Sequence, residues 1–410
     1  MNSYLILTIV ISLAALFAYI NYRYIKMPFV IGLFFLSTLV AVMIFVSRYW
    51  FPEPYNGLKA AVKQTNISRV ILEIMLGPLL FAGSLHTQWS YIKKYMKTIT
   101  LFAIGGVLVS TIIIAILMYG ICNLLQVEMA FIYCLLFGAL ISPTDPIAVI
   151  GILKKANVPK KIESILVGES LFNDGIGVVV FLALLETLGT GDLTVNYTRF
   201  GLLFLQEAVG GVLFGLLFGF VLHQLIKSID HYETEVLLTI AFVMAGYSLC
   251  LYLHLSGALA MVVMGLLVGN YKINEVMSDR SLEYVHKFWE LADIILNAIL
   301  FILIALVLVV IDFKLPYLAL GAMAVFIVLL SRIIIVMLPK TLLPKKIELN
   351  KKESTLIIWG GLRGGLSIAM VLSLPDGEAR NILLIATYAC VLFSILVQGL
   401  SIGKIAAEKK

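Results

Sequence analysis

The sequence has little charge and few cysteines. Only 13% of its 410 residues are charged and 61% are hydrophobic, whereas a soluble domain carries about 25% charged and about 45–50% apolar residues. The chain is therefore a polytopic membrane protein and not a soluble enzyme. Its four cysteines all fall inside apolar segments without CxxC spacing. This pattern is typical of small buried side chains and favours neither a disulfide framework nor a cysteine metal site.

Other features are missing as well. The N-terminus has no basic region followed by a small-residue cleavage site, so no removable signal peptide is expected. No tail exceeds a dozen residues, so no attached soluble domain is expected. The five histidines are scattered without metal-ligand spacing, and the sequence predicts no cofactor. The net charge of +6 comes from basic residues in short loops and does not indicate nucleic-acid binding.

Long apolar runs dominate what is present, and they predict an all-α membrane protein. Apolar runs bounded by charge, proline and glycine predict about thirteen transmembrane helices. Their approximate bounds are 4–20, 27–47, 68–88, 98–124, 128–153, 162–187, 200–226, 235–253, 255–270, 287–311, 315–338, 354–373 and 381–403.

The basic residues predict the orientation of these spans. Of the 30 lysines and arginines, 21 fall on one side of the membrane, seven on the other and two inside spans. The side with 21 should be cytoplasmic. The N-terminus is then outside and the C-terminus cytoplasmic, in a bacterial-type plasma membrane.

One span carries a cluster of polar residues. The apolar run 165–185 contains Glu169, Ser170, Asn173 and Asp174. A bare carboxylate at membrane depth costs at least a few kcal/mol, so it must be paired, hydrated, protonated or bound to a cation. On a helix Ser170, Asn173 and Asp174 share a face, while Glu169 lies about 100° away. We therefore predict that Asp174 binds a proton or a small metal cation.

Two other spans are predicted to be broken. Pro143 and Pro146 flank Thr144 and Asp145 in span 5, and two prolines three residues apart interrupt a helix and free carbonyl groups. Those carbonyls could coordinate a cation. Four glycines surround Arg363 in span 12 and weaken its helix. We expect the break to involve Gly361, Gly364 and Gly365.

The positions of the two breaks suggest an internal repeat. Spans 5 and 12 lie seven spans apart, so spans 1–6 and 8–13 can form two six-helix repeats with span 7 as linker. An odd offset makes such repeats inverted, and paired interruptions of this kind point to a transporter binding site.

The two arginines inside spans need partners. An intramembrane arginine stays charged and requires a carboxylate or a ring of carbonyls. Arg332 near the end of span 11 is compatible with a side chain that reaches the cytoplasmic interface, and its role stays open. Asp293 and Asn297, four residues apart, are interpreted as a polar pair at the start of a helix.

Three motifs together resemble the NhaP-type sodium/proton antiporters of the monovalent cation:proton antiporter family, relatives of the animal sodium/proton exchangers. They are Ser-Pro-Thr-Asp-Pro at 142–146, Gly-Glu-Ser-Leu-Phe-Asn-Asp-Gly at 168–175 and Gly-Gly-Leu-Arg-Gly-Gly at 360–365. The resemblance implies a homodimer with elevator-type alternating access. Core helices at about 98–187 and 315–403 would move against dimerisation helices at about 1–47 and 200–311. Spans 5 and 12 would unwind and cross beside the ion site.

The resemblance also assigns roles to residues. Asp174 would bind the transported cation and the proton, and Glu169 would form a structural salt bridge with Arg363. Asn173 before Asp174 implies electroneutral exchange. The supporting ion-site residues would be Asn173, Ser170, Thr144 and Asp145. Many relatives have an acid where this chain has Ala82, so the choice between Na⁺, Li⁺ and K⁺ is not predicted.

The expected function is therefore proton-coupled exchange of a monovalent cation, most simply Na⁺ or Li⁺, with proton and cation competing for Asp174. A K⁺/H⁺ antiporter of the same fold is the alternative. The sequence has no recognisable selectivity filter, which argues against a cation channel. It has no clustered recognition groups near Asp174, which argues against a carrier of organic solutes. The surroundings of the two aspartates Asp145 and Asp174 do not match those of an intramembrane protease.

Overall fold

The computed structural model describes residues 3–145, 151, 153, 158–189, 197–270, 278–311, 314–342, 347 and 349–407. These residues form helices and connections, and no β-strand occurs among them, so the predicted all-α fold is confirmed. In chain order the helices are α1 (Tyr4–Ile25), α2 (Phe29–Ser47), α3 (Pro52–Gln64), α4 (Ile67–Leu85), α5 (Trp89–Leu124), α6 (Phe131–Ile141), α7 (Lys160–Gly189), α8 (Tyr197–Lys227), α9 (Tyr232–Tyr252), α10 (Gly257–Asn270), α11 (Asp279–Val307), α12 (Leu315–Leu342), α13 (Lys351–Gly360), α14 (Gly365–Leu372) and α15 (Glu378–Ala406).

The described helices account for the predicted apolar segments. Ten of them are long and apolar enough to cross a membrane, and the pair α13 and α14, bent by about 40°, would make an eleventh crossing. The helices α6 and α10 are apolar but shorter. Each predicted span overlaps a described helix, but two of these helices are short. The total of thirteen crossings and the inverted repeat therefore stay predictions.

One boundary differs in a way that matters for function. The sequence predicts a span from 287, whereas α11 begins at Asp279. The Ser278 hydroxyl accepts a hydrogen bond from the Ser281 amide at 3.3 Å, which caps the helix there. The interpretation of Asp293 and Asn297 as a polar pair at the start of a helix was wrong, because charged residues interrupt the apolar pattern in the first turns of α11. Asp293 consequently lies about four turns inside the helix and not at its start.

The helices pack into two groups. One contains α5, α6, α7 and α12–α15, and the other contains α1, α2, α4 and α8–α11. The helix α7 also contacts α8 and α10, and α14 contacts α4 and α11. The polar residues of α7 therefore lie close to the boundary between the groups.

Glycines allow a close approach of two helices in the second group. A Cβ atom added at Gly215 of α8 would lie 2.5 Å from the Ala260 carbonyl oxygen and 2.9 Å from its Cα in α10. Both contacts are with backbone atoms, so a side chain at Gly215 would force the two helices apart.

We expect Gly215→Ala to destabilise the protein by about 1–3 kcal/mol, the usual cost of overpacking. Gly120→Ala in α5 is the matched control, because a Cβ atom there would meet nothing within 4 Å. The midpoint of thermal unfolding of the purified proteins in detergent measures the difference. Equal midpoints for the two variants would contradict the close approach of α8 to α10.

Candidate cation-binding site

The polar cluster of α7 lies in the middle of a long helix. Asp174 is 14 residues after Lys160, the first residue of α7, and thus about 21 Å along its axis. Glu169, Ser170 and Asn173 are each 1% exposed, while Asp174 is partly exposed. Ser170 and Asp174 line a cavity of about 1000 Å³.

The cavity connects Asp174 with one end of α7. Its wall includes Ser170 and Asp174 at depth, and Lys160 and Glu163 in the first turn of the helix. The loop residue Gln88 belongs to the same end. The sequence predicts that this end lies on the cytoplasmic side, because it belongs to the side with 21 of the 30 lysines and arginines.

The first broken span is held against α7 by two hydrogen bonds. The helix α6 ends at Ile141, and the following backbone to Asp145 is not helical. The Asn173 Nδ2 donates to Thr144 Oγ1 at 2.8 Å, and the Thr144 amide donates to Asn173 Oδ1 at 3.3 Å. Each residue thereby fixes the other, and their direct contact with a cation stays a prediction.

The second broken span crosses the first. The backbone is not helical from Gly361 to Gly364, between α13 and α14. The Asp145 amide donates to the Leu362 carbonyl oxygen at 2.8 Å. The interruptions predicted from Pro143 and from the glycines are therefore present and touch each other. Pro146 lies outside the described residues.

Arg363 binds the carbonyl groups released by the first break. This side chain is 2% exposed. Its Nη1 donates to the carbonyl oxygens of Ser142 and, at 3.0 Å, of Pro143. The predicted salt bridge of Arg363 with Glu169 is wrong: the guanidinium uses carbonyl oxygens, the other partner that the sequence allowed. These carbonyls are thus already engaged by a positive charge.

Glu169 pairs with Arg332 instead. The Arg332 Nη2 lies 3.0 Å from Glu169 Oε2, and Nη1 bonds to Oε1. Nη2 also donates to the Ile357 carbonyl oxygen at 3.0 Å. The pair is buried, with side-chain exposures of 5% and 1%. Arg332 therefore does not extend to the cytoplasmic interface, and it joins α12 to α7.

Two glycines of the second break make room for charged side chains. A Cβ atom at Gly361 would lie 2.5 Å from Arg332 Nε, and one at Gly364 would lie 2.6 Å from Asp145 Cβ. A Cβ atom at Gly365 would come within 2.9 Å of Leu300 in α11. The glycine motif is therefore needed for close approach as well as for the interruption of the helix.

Ser170 has a free hydroxyl beside Asp174. Its Oγ is buried and has no hydrogen-bond partner among the described residues, an arrangement that costs about 1–3 kcal/mol unless something binds there. The next turn of α7 carries the Asp174 carboxylate. A hydroxyl and a carboxylate oxygen are the ligands that hard cations prefer, so these two groups fit a small cation.

Two residues that line the cavity were missed by the sequence interpretation. Asp293 and Asn297 of α11 belong to the same cavity wall as Asp174. The sequence feature that could have indicated them is a carboxylate and an amide four residues apart inside an apolar run. Ala82 is fully buried, and the neighbouring wall of α4 is apolar, with Leu79, Leu80 and Gly83.

The corrected pairing predicts a specific pattern of stability. We expect Glu169→Gln to lower the free energy of unfolding by about 3–5 kcal/mol, because Arg332 is left as an unpaired buried charge. Adding Arg332→Gln should recover part of this loss. Thermal unfolding of the single and double variants in detergent measures the coupling. Full additivity of the two substitutions would argue against the pair, and Arg363→Gln should show little coupling to Glu169→Gln.

Comparisons with known proteins identify the family of the chain. The family described as sodium/hydrogen exchanger, transmembrane, matches residues 11–408. The Na⁺/H⁺ antiporter NhaP of Pseudomonas aeruginosa is 43% identical over 399 residues, which cover 96% of this chain and 94% of the relative. The Na⁺/H⁺ antiporter NhaH of Halobacillus dabanensis is 36% identical, with 84% and 83% covered.

A solved structure has the same fold. The sodium proton antiporter MjNhaP1 of Methanocaldococcus jannaschii superposes with a TM-score of 0.77 over 98% of this chain and 96% of that one, at 19% identity. The sequence match over nearly the whole chain, supported by this fold, shows that the chain belongs to the transmembrane sodium/hydrogen exchanger family.

Proposed function

We propose that the protein exchanges a monovalent cation for a proton across the membrane, and that Na⁺ or Li⁺ is the cation. The observation that carries the proposal is the unpartnered buried Ser170 hydroxyl beside Asp174 at the inner end of a cavity. The names of the relatives as Na⁺/H⁺ antiporters support Na⁺. K⁺ is the second candidate, because Ala82 supplies no oxygen ligand to restrict the size of the site.

The proposed mechanism is competition for one carboxylate. Asp174 binds either a proton or a cation, and in both forms its charge is neutralised. An ionised Asp174 without a cation would be costly at membrane depth, so the empty site stays on one side. Obligatory exchange follows, because the site crosses only when it carries one ligand or the other.

The two helix groups suggest how the site changes sides. Asp174, Asp145 and Arg363 all belong to the group that contains α5–α7 and α12–α15, and residues of α4 and α11 line the same cavity as Asp174 and Asp145. In an elevator-type movement the first group slides along the second with its ion site intact. We propose a homodimer held together by the second group, with the N-terminus outside and the open cavity facing the cytoplasm.

Formal charges support an electroneutral cycle. Around the crossing lie two arginines, Arg332 and Arg363, and three carboxylates, Glu169, Asp145 and Asp174. With all five ionised, one negative charge is left. One proton or one monovalent cation cancels it, so these five side chains and their ligand carry no net charge in either loaded form.

We expect Asp174→Asn to abolish cation-driven proton movement while the protein still folds, because an amide cannot exchange a proton. The assay uses proteoliposomes with an internal pH dye, an imposed pH gradient, and Na⁺, Li⁺ or K⁺ added separately. Glu163→Gln, on the same helix at the cavity mouth, is the matched control and should retain exchange. Residual cation-driven proton movement in Asp174→Asn would refute the assignment.

We also expect the rate of exchange to be independent of membrane potential. Transfer of one net charge would change the driving force by about 2.3 kcal/mol per 100 mV. The same proteoliposomes, clamped at several potentials with an ionophore for an ion that is not transported, test this expectation. A rate that rises or falls steadily with potential would exclude one-for-one exchange.

A further inference from the structure

Asp293 and Asn297 form a polar pair on the second helix group. The Asn297 Nδ2 donates to Asp293 Oδ1 and to the Asp293 carbonyl oxygen, both at 2.9 Å. Asn297 is only 1% exposed, and its Oδ1 has no hydrogen-bond partner among the described residues. Both residues line the cavity that leads to Asp174.

This pair has the chemistry of a cation site. A buried amide oxygen without a donor is unfavourable, and the adjacent carboxylate gives it a negative neighbour. Carboxylate and amide oxygens are ligands of hard cations. Among the described residues no group of three or more His, Cys, Asp or Glu is arranged to hold a metal ion. The pair is therefore suited to weak binding of a monovalent cation.

The position of the pair relates it to the inner site. Asp145 is an electrostatic neighbour of both Asp293 and Asp174. Asp145 is thus within electrostatic range of a carboxylate on α11 and of a carboxylate on α7. The cavity that they line continues to the end marked by Glu290 and Lys160.

We propose that Asp293 and Asn297 form an outer subsite that takes a hard monovalent cation on its way between the cavity mouth and Asp174. The proposal deepens the proposed function and rests on it. Because α11 packs with α2, α4 and α9, the outer subsite stays behind when the group carrying Asp174 moves. It therefore serves only the face of the membrane on which this cavity opens.

The test is a side-specific transport measurement on reconstituted full-length protein of determined orientation. We expect Asp293→Asn to raise the apparent KM for Na⁺ about tenfold at the cavity face, as loss of a supporting polar group commonly does. The KM at the opposite face and the maximal rate should stay unchanged. Asn297→Ala should also raise the apparent KM for Na⁺ at the cavity face, although this variant keeps the Asp293 carboxylate.

Glu290→Gln is the matched control, because Glu290 lies on the same helix and lines the same cavity. An equal rise in KM for Glu290→Gln would mean that general negative charge, and not this pair, attracts the cation, and would overturn the subsite. An unchanged KM in Asp293→Asn, in a protein that exchanges Na⁺ normally, would also overturn the subsite and leave the proposed function intact.

A binding measurement separates the subsite from transport. Thermal unfolding in detergent is compared in NaCl and in choline chloride at equal ionic strength. We expect Na⁺ to raise the unfolding temperature of Asp174→Asn, and we expect this shift to disappear in the Asp174→Asn/Asp293→Asn double variant. Absence of a shift in Asp174→Asn would overturn the subsite. Failure of the wild-type protein to exchange any cation would instead overturn the proposed function.

Discussion

A buried guanidinium bonded to the carbonyl groups of an interrupted helix is the interaction on which the site depends. Arg363 cannot lose its charge, and carbonyls freed by Pro143 cannot stay unsatisfied in a membrane. The Arg363 guanidinium supplies hydrogen-bond donors and the carbonyl oxygens of Ser142 and Pro143 accept them. The interruption can therefore exist at membrane depth, and it allows Thr144 to bond with Asn173 of α7.

The remaining charges follow from this arrangement. Because Arg363 bonds to carbonyl oxygens, the charge of Glu169 is neutralised by Arg332 of α12. Among the described residues Asp174 forms no salt bridge, although it lies one turn and a half from Glu169 on the same helix. In the proposed mechanism the two carboxylates of one motif thus have opposite tasks, since Glu169 is neutralised by Arg332 and Asp174 binds an exchangeable ligand.

The sequence indicated which polar residues lie near the candidate site, but it did not predict which of them form ion pairs with each other. The positions of Asp174, Asp145 and both arginines inside apolar runs indicated a functional site, because a charge at membrane depth is costly unless it is paired or binds a ligand. The partner of Glu169 could not be predicted, since both arginines were compatible with local spacing, and only the tertiary arrangement that brings Arg332 of α12 to Glu169 of α7 decides between them. Asp293 was misjudged because charged residues obscured the first turns of α11, so a residue about four turns inside the helix was interpreted as part of a helix start.

In the proposed mechanism the location of Asp293 matters as much as its charge. If Asp293 moved together with Asp174, the side chains of the ion site would carry two uncompensated negative charges, and a single proton or cation would not neutralise both. On α11, which packs with the other helix group, the same carboxylate can attract a cation without adding to the charge that crosses the membrane. An outer carboxylate on the stationary side therefore adds no charge to the ion site that crosses the membrane, whereas the same carboxylate on α7 would add one.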